Sequence, residues 1–206
     1  MSNLIDTNFY LNRYQFSGQE LTNYPQPDLN IVVVIPCFKE PYLIDSLETL
    51  LVCDLPVCSV EVIVVVNCSE KATEELKQMN QFAFDEATRW SSEHSTEKLS
   101  FHIIKNLHLP KKHAGVGLAR KIGMDEAVRR LELVNNPQGV IVCFDADSKV
   151  DHNYLVEIEN HFETNPKTTA CSIHYEHPLE GKLEERHYTG IINYEMHLRY
   201  YIHALK

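Results

Sequence analysis

Residues 31–35 have the sequence IVVVI, an unbroken run of β-branched side chains. Such a run predicts a strand buried on both faces of a parallel sheet, because a strand with one solvated face alternates apolar and polar residues. Similar runs at 60–66, 101–104 and 140–144 predict three more strands, and a β-rich run at 168–175 predicts a fifth. We expect Pro36 to end the first strand, because proline has no N–H to donate to a neighbouring strand.

Segments with apolar residues at helical spacing separate these strands. They predict helices at 41–52, from an N-cap at Ser69 toward Trp90, at 116–134, at 155–162 and around 191–205. The alternation of strands and helices predicts an α/β fold with a Rossmann-like, mostly parallel sheet flanked by helices, whose ligands bind at the carboxyl ends of the strands. We expect residues 1–29 to form an N-terminal arm and residues 30–206 to form the α/β domain.

The composition, with 44% hydrophobic and 23% charged residues in a chain of 206, is that of a folded protein of single-domain size. A formal net charge of −10 argues against nucleic-acid binding, which needs an excess of Lys and Arg. Runs of about 18 apolar residues are absent, so the sequence predicts no transmembrane segment and a cytoplasmic protein, free or peripheral at the inner membrane. The six cysteines form no C-x-x-C pair and mostly lie in or beside apolar runs, which predicts structural thiols.

Asp145 and Asp147 follow directly after the fourth predicted strand. Two carboxylates separated by one residue can point to the same side of the chain, at the edge of the sheet where ligands bind. Their oxygens suit Mg²⁺ or Mn²⁺, and such an ion completes its shell with water and with phosphate oxygens of a substrate. Because the preceding strand is apolar, we expect no protein group nearby to neutralise the pair, and their repulsion predicts a bound cation.

Other polar and aromatic side chains are predicted at the same edge. Phe38 follows the first strand and offers a face for a nucleobase, and Asn67 ends the second strand, where it is either a hydrogen-bonding group for a base or an ordinary turn residue. Arg120 lies near a helix start and is either a ligand-binding cation or a surface arginine. The Gly-Val-Gly at 115–117 lacks the third glycine of a dinucleotide fingerprint, which argues against a nicotinamide-dependent dehydrogenase.

Four segments in this order, at 31–40, 61–69, 117–123 and 140–147, resemble the family 2 glycosyltransferases of the GT-A fold. The resemblance implies that Asp145 and Asp147 contact the ribose and the metal-diphosphate group, with Asp147 favoured as the direct metal ligand. It also implies nucleotide-sugar contacts by residues at the other strand ends and on the helix: Pro36, Phe38, Glu40, Asn67 and Arg120. The family usually has Asp at the position of Asn67, and Lys39 and Lys121 also depart from its pattern.

The function predicted from these residues is transfer of a sugar from a nucleotide-diphosphate sugar, UDP- or GDP-linked, to a hydroxyl of a glycan, lipid or other acceptor, with Mg²⁺ or Mn²⁺ as cofactor. We find no candidate for the catalytic base in the sequence, and we expect the chain to be the amino-terminal part of a longer enzyme. The late carboxylates are predicted to be solvated charges on a helix face, and His174 and His177 to be ordinary loop histidines. These carboxylates are Glu180, Glu184, Glu185 and Glu195.

Two other functions stay open at this point: a non-catalytic module that binds sugar nucleotides, and a sugar nucleotidyltransferase. A nucleotidyltransferase needs a glycine-rich loop after the first strand, and residues 36–41 contain no glycine. A phosphatase of the haloacid dehalogenase type places its Asp-x-Asp motif after the first core strand, whereas here the motif follows the fourth.

Overall fold

The computed structural model describes residues 7–181 and 183–205. The chain forms two compact units, Met1–Thr164 and Asn165–Lys206. In the described part of the chain, no helix is long and apolar enough to cross a membrane.

The first unit contains a parallel sheet with the strand order β3-β2-β1-β4 in its described residues. All three pairs of neighbouring strands are parallel, which confirms the α/β fold with a parallel sheet. The strands are β1 (Leu29–Cys37), β2 (Ser59–Ser69), β3 (Leu99–Leu109) and β4 (Val140–Cys143).

Helices connect and flank these strands, and the predicted helices are confirmed with shifted ends. The helix predicted from Ser69 begins later, because the Oγ1 of Thr73 accepts from the N–H of Leu76 and caps it, while Ser69 is the last residue of β2. The helices of the first unit are α1 (Thr7–Tyr14), α2 (Leu43–Leu51), α3 (Glu74–His94), α4 (Val116–Leu133) and α5 (Tyr154–Thr164); the second unit contains α6 (Glu185–Ala204).

The prediction that Pro36 ends the first strand is wrong, since β1 continues to Cys37 and Pro36 pairs with Val65. The carbonyl of Val34 accepts from Phe144 N, so the backbone groups of Val34 point toward β4. Pro36, two residues on, presents its backbone to the same side. There β4 has already ended, because its last pair is Val34 with Cys143. The missing N–H of Pro36 therefore costs no bond in the sheet.

The fifth predicted strand does not form, because residues 168–175 have no regular secondary structure. A strand needs a neighbour for its backbone N–H and C=O groups, and no described residue pairs with this segment as a sheet partner. Its β-branched and aromatic residues favour a strand only where a neighbouring strand is available to pair with it.

Two apolar layers cover the sheet, one on each face. Along β2, Val62 and Val64 belong to the layer with α2, α3 and α5, whereas Ile63 and Val65 belong to the layer with α4. This alternation explains why the strands have continuous apolar runs, because both faces of the sheet are buried. The α4 helix packs closely on β1: a Cβ added at Gly123 would lie 2.4 Å from Cγ1 of Val34.

The segment before β1 is held on α4 by buried carboxylates. Asp125, only 2% exposed, accepts from the Tyr10 hydroxyl at 2.8 Å and from the backbone N–H of Phe16 at 2.9 Å. Glu126, also 2% exposed, accepts from the backbone N–H of Glu20 at 3.1 Å. The described residues of this segment thus contact α4, the helix that also contributes to the ligand edge of the sheet.

Glu61 on β2 and Arg130 on α4 form an ion pair buried in the first unit. Arg130 is fully buried, its Nη2 lies 2.6 Å from Oε1 of Glu61, and its Nη1 donates to the carbonyl of Asn23. Burial alone would raise the pKa of Glu61, but the hydrogen bonds from Arg130 and the nearby imidazole of His102, 3.7 Å away, outweigh it and hold the pKa below its usual range. The pair is therefore charged at neutral pH and joins β2 to α4.

In the second unit, Glu195 of α6 is not the solvated charge predicted from the sequence. It is 9% exposed, and its Oε1 lies 2.5 Å from Nδ1 of His177. The hydrogen bond from His177 holds the pKa of Glu195 below its usual range. The helical pattern could not show this contact, because His177 belongs to the irregular segment before the helix. The other three late carboxylates, Glu180, Glu184 and Glu185, are exposed as predicted, but only Glu185 lies on the helix, since α6 begins there.

Candidate nucleotide-sugar site

A pocket of about 400 Å³ lies at the carboxyl ends of the strands in the first unit. Its volume falls in the range usual for small-molecule sites, roughly 300–1,000 Å³. Six of the seven residues predicted from the sequence line it: Pro36, Phe38, Glu40, Asn67, Asp145 and Asp147. The pocket also takes in Ser69, Ala146 and the start of α4 at Ala114, Gly115 and Val116. Parallel strands bring these segments together because their carboxyl ends share one edge of the sheet.

The Asp-x-Asp segment is anchored so that its two carboxylates face the pocket. Ala146 is 7% exposed and packs in the core, whereas Asp145 and Asp147 on either side of it are exposed. The carbonyl of Ala146 accepts from Oγ of Ser46, a buried residue of α2, at 2.7 Å. Sequence reasoning missed Ser46, since a serine within an apolar helical pattern gives no signal for this contact.

Arg120 reaches the same segment from α4. Its Nη2 donates to Oδ1 of Asp145 at 2.6 Å, so the expectation that no protein group neutralises the two carboxylates is wrong for Asp145. The apolar strand before Asp145 could not indicate this partner, because Arg120 lies on a helix 25 residues earlier in the chain. The Nε of Arg120 is buried and has no hydrogen-bond partner among the described residues.

Asp147 is in a different state from Asp145. No described residue forms a hydrogen bond or ion pair with its carboxylate, which is exposed in the pocket. The described residues contain no group of three or more His, Cys, Asp or Glu side chains arranged to hold a metal. An ion on these carboxylates would therefore draw most of its ligands from water and phosphate, and this arrangement suits Mg²⁺, which keeps several waters. The donor set present fits the predicted Mg²⁺ or Mn²⁺.

Asn67 presents a defined atom to the pocket. It is 2% exposed, and its Nδ2 donates to the carbonyl of Cys37 at 2.9 Å. A carbonyl only accepts, so this bond fixes which end of the amide is the NH₂ group. The Oδ1 atom has no hydrogen bond from any described residue, and it is the acceptor that Asn67 offers to a ligand.

The amino terminus of α4 borders the pocket with free backbone N–H groups. Gly115, the residue before the helix, has φ of 152°, a value that side chains disfavour, and no side chain caps the helix. The first turn contains no acidic residue. The partial positive charge of a helix amino terminus favours anions, so this wall of the pocket is suited to a phosphate group.

The loop between β1 and α2 forms another wall. Phe38 is 48% exposed, and Glu40 accepts the N–H of Tyr42 at 3.0 Å, just before α2 begins. Lys39 between them has φ of 53°, in the left-handed region. This conformation costs a non-glycine residue roughly 1–2 kcal/mol, so other contacts must hold it.

Comparison with known proteins agrees with this architecture. The profile of glycosyl transferase family 2 matches residues 32–205, which is most of the chain. The chain belongs to glycosyl transferase family 2, and the GT-A fold implied by its sequence segments is confirmed.

Among solved structures, the chain is similar to S. aureus TarS 1–349, at 16% identity and a TM-score of 0.43, with 67% of this chain and 33% of that chain covered. The complex of TarS 1–349 with UDP-GlcNAc gives 18% identity and a TM-score of 0.44, with 67% and 32% covered. A third structure of S. aureus TarS gives 18% identity and a TM-score of 0.41, with 66% and 20% covered. The chain thus spans a third or less of the length of these proteins. The curated protein sequences contain no match.

Proposed function

We propose that this chain binds the donor of a metal-dependent glycosyltransferase, a nucleotide-diphosphate sugar linked to UDP or GDP, and that the enzyme transfers the sugar to an acceptor hydroxyl. The observation that carries the proposal is the meeting of Asp147, Asp145 and the amide oxygen of Asn67 in one pocket of a family 2 chain. These groups match the metal-diphosphate and base portions of such a donor.

Each wall of the pocket has a part in this proposal. Phe38 offers an aromatic face to the base, and Oδ1 of Asn67 accepts a hydrogen bond from its edge. Asp145 and Asp147 would hold Mg²⁺ or Mn²⁺, and the start of α4 would bind the phosphates. When bound, the divalent ion supplies positive charge that stabilises the departing nucleoside diphosphate.

One observation favours a second candidate, a non-catalytic module that binds sugar nucleotides. The ion pair of Arg120 with Asp145 neutralises one of the two carboxylates without any metal. In that case the pocket would hold the nucleotide through Arg120 and the start of α4, and divalent ions would change its affinity little. Membership of family 2 disfavours the third candidate, a sugar nucleotidyltransferase.

Calorimetric titration with UDP and GDP, with and without Mn²⁺, separates these functions. We expect weak binding without the ion, binding at least tenfold tighter with it, and loss of the ion-dependent part in Asp147→Ala. The matched control is Asp85→Ala, which removes an exposed carboxylate of α3 outside the pocket and should leave both affinities unchanged. Equal affinities with and without Mn²⁺ would refute the metal site.

Donor turnover tests the enzyme part of the proposal. Release of UDP or GDP from a nucleotide sugar in the presence of Mn²⁺ would support a glycosyltransferase. Binding without release is expected both of a non-catalytic module and of a chain that lacks the catalytic base, so the dependence of binding on Mn²⁺ separates these two. The cytoplasmic location and the identity of the acceptor stay predictions from the sequence.

A further inference from the structure

The loop that carries Phe38 and Glu40 into the pocket is fixed by a buried residue of α3. Asn80 is fully buried, and its Oδ1 accepts the backbone N–H of Lys39 at 2.9 Å. Lys39 is the residue in the left-handed conformation, with φ of 53°. The hydrogen bond therefore acts at the point where the backbone departs from its preferred geometry.

The orientation of Asn80 is itself determined by its helix. Its Nδ2 donates to the carbonyl of Leu76, one turn earlier in α3, at 2.7 Å. Because that carbonyl accepts only, Oδ1 must face the loop. Both ends of the amide are satisfied, as a buried polar side chain requires.

Two further contacts fix the loop on either side of Lys39. Before it, the carbonyl of Cys37 accepts from Nδ2 of Asn67, and after it, the N–H of Tyr42 donates to Glu40. Asn80 supplies the contact at the centre. Its hydrogen bond fixes the backbone of Lys39, and Phe38 and Glu40, the two neighbours of Lys39 in the sequence, both line the pocket.

We propose that Asn80 is a positioning residue for the nucleotide pocket: by holding the left-handed turn at Lys39, it sets the direction in which Phe38 and Glu40 enter the pocket. Asn80 does not line the pocket and acts through the loop. The inference rests on the proposed function for its effect on nucleotide binding, but its effect on the loop can be measured without a nucleotide.

The first test is amide hydrogen exchange of Lys39, followed by NMR on labelled protein without ligand. In Asn80→Ala we expect exchange of this amide to become at least tenfold faster, because its acceptor is gone. Asn80→Asp can make both hydrogen bonds only with its carboxyl protonated, when it donates to the carbonyl of Leu76 and accepts from the N–H of Lys39, so the amide should stay protected at acidic pH. The control Ser91→Ala removes a buried hydrogen bond within the same helix, from Oγ of Ser91 to the carbonyl of Thr88, and should leave the Lys39 amide unchanged.

The second test is the affinity of the same variants for UDP with Mn²⁺. Asn80→Ala should weaken binding roughly tenfold, the size expected for the loss of one hydrogen bond. Ser91→Ala should not change the affinity measurably.

Two outcomes would overturn the inference. One is slow exchange of the Lys39 amide in Asn80→Ala, and the other is an equal loss of UDP affinity in Asn80→Ala and Ser91→Ala, which would show an effect of helix stability only. If the unmodified protein binds neither UDP nor GDP, the proposed function fails. Faster exchange in Asn80→Ala would still establish the control of the loop.

Discussion

The guanidinium of Arg120 lies 2.6 Å from Oδ1 of Asp145, while the carboxylate of Asp147 has no partner among the described residues. Two aspartates that look equivalent in the sequence are therefore in different electrostatic states. A cation arriving at the pocket meets one free carboxylate and one that is already paired. A metal ion that used Asp145 as a ligand would therefore compete with Arg120.

Removal of Arg120 should change metal and nucleotide affinity in opposite directions. In Arg120→Met, Asp145 becomes free, and we expect Mn²⁺ alone to bind about two- to fivefold more tightly, the size of an exposed ion pair. UDP should bind more weakly, because a cation at the proposed phosphate site is lost. Electron paramagnetic resonance of free Mn²⁺ and calorimetry measure the two affinities. Arg89→Met, at an exposed position of α3, is the control, and weaker Mn²⁺ binding in Arg120→Met would contradict the competition.

The free Oδ1 of Asn67 predicts a preference for bases with a ring N–H at the recognised edge. Uracil and guanine have such a group, whereas cytosine and adenine have a lone pair there. We expect UDP to bind roughly tenfold more tightly than CDP or N3-methylated UDP, since a mismatched acceptor leaves a buried polar group unpaired. The difference should disappear in Asn67→Ala. Equal binding of UDP and its N3-methyl derivative to the unmodified protein would show that Asn67 does not contact the base.

Gly123 is predicted to be necessary for the packing of α4 on β1. In Gly123→Ala the new methyl group meets Cγ1 of Val34 at 2.4 Å, and the free energy of unfolding should fall by about 1–3 kcal/mol. Val34→Ala combined with Gly123→Ala should recover part of this loss by making room. Gly117→Ala on the same helix has no atom within 4 Å of the new carbon and should not destabilise the protein. Urea unfolding measures all three, and an unchanged midpoint for Gly123→Ala would refute the close packing.

The Glu61–Arg130 pair predicts how stability depends on pH. Because the pKa of Glu61 is lowered in the folded protein, its contribution is present above its usual value of 4.5 and is lost as the pH falls through the folded pKa. Urea unfolding should therefore show a loss of stability below about pH 4.5 that is smaller in Glu61→Gln. If the free energy of unfolding of Glu61→Gln depends on pH as it does in the unmodified protein, then Glu61 is not the source of the stability loss at low pH.

Breaking the pair from one side should be more harmful than replacing both partners. Arg130→Met leaves the buried carboxylate of Glu61 with only the imidazole of His102 nearby, and we expect a loss of about 3–5 kcal/mol in the free energy of unfolding. The double variant Glu61→Leu with Arg130→Met should recover most of it. A double variant less stable than Arg130→Met would contradict the prediction.

The cysteines should differ in reactivity toward a thiol reagent in the native state. Cys143 and Cys171 are exposed, whereas burial raises the pKa of Cys37 to about 12 and that of Cys58 also to about 12. We expect two fast-reacting thiols at pH 8, and none after replacement of Cys143 and Cys171 by serine. More than two fast thiols in the folded protein would contradict the expected low reactivity of the other four, of which three are buried and Cys58 is partly exposed.

Much of the fold could be predicted because its signals are local. The β-branched runs predicted the strands at Leu29–Cys37 and Ser59–Ser69, since strands covered on both faces are built mainly from apolar residues. The strand predicted at 168–175 was wrong because a strand forms only where another strand can pair with it, and a single segment does not show whether such a partner exists. The late carboxylate Glu195 was misassigned for a similar reason, because its partner His177 is 18 residues away.

By itself, the sequence determined the class of fold and the set of segments at the ligand edge, including six residues that line one pocket. The alternation of apolar strands with helices predicts a parallel sheet, and in a parallel sheet the carboxyl ends of the strands lie at one edge. Only the tertiary structure decided the state of each side chain there. In the tertiary structure Arg120 pairs with Asp145, and the amide of Asn67 is oriented so that its Oδ1 has no partner among the described residues. Asn80 accepts the backbone N–H of Lys39. Such contacts join residues far apart in the chain, and their geometry depends on how the helices pack on the sheet.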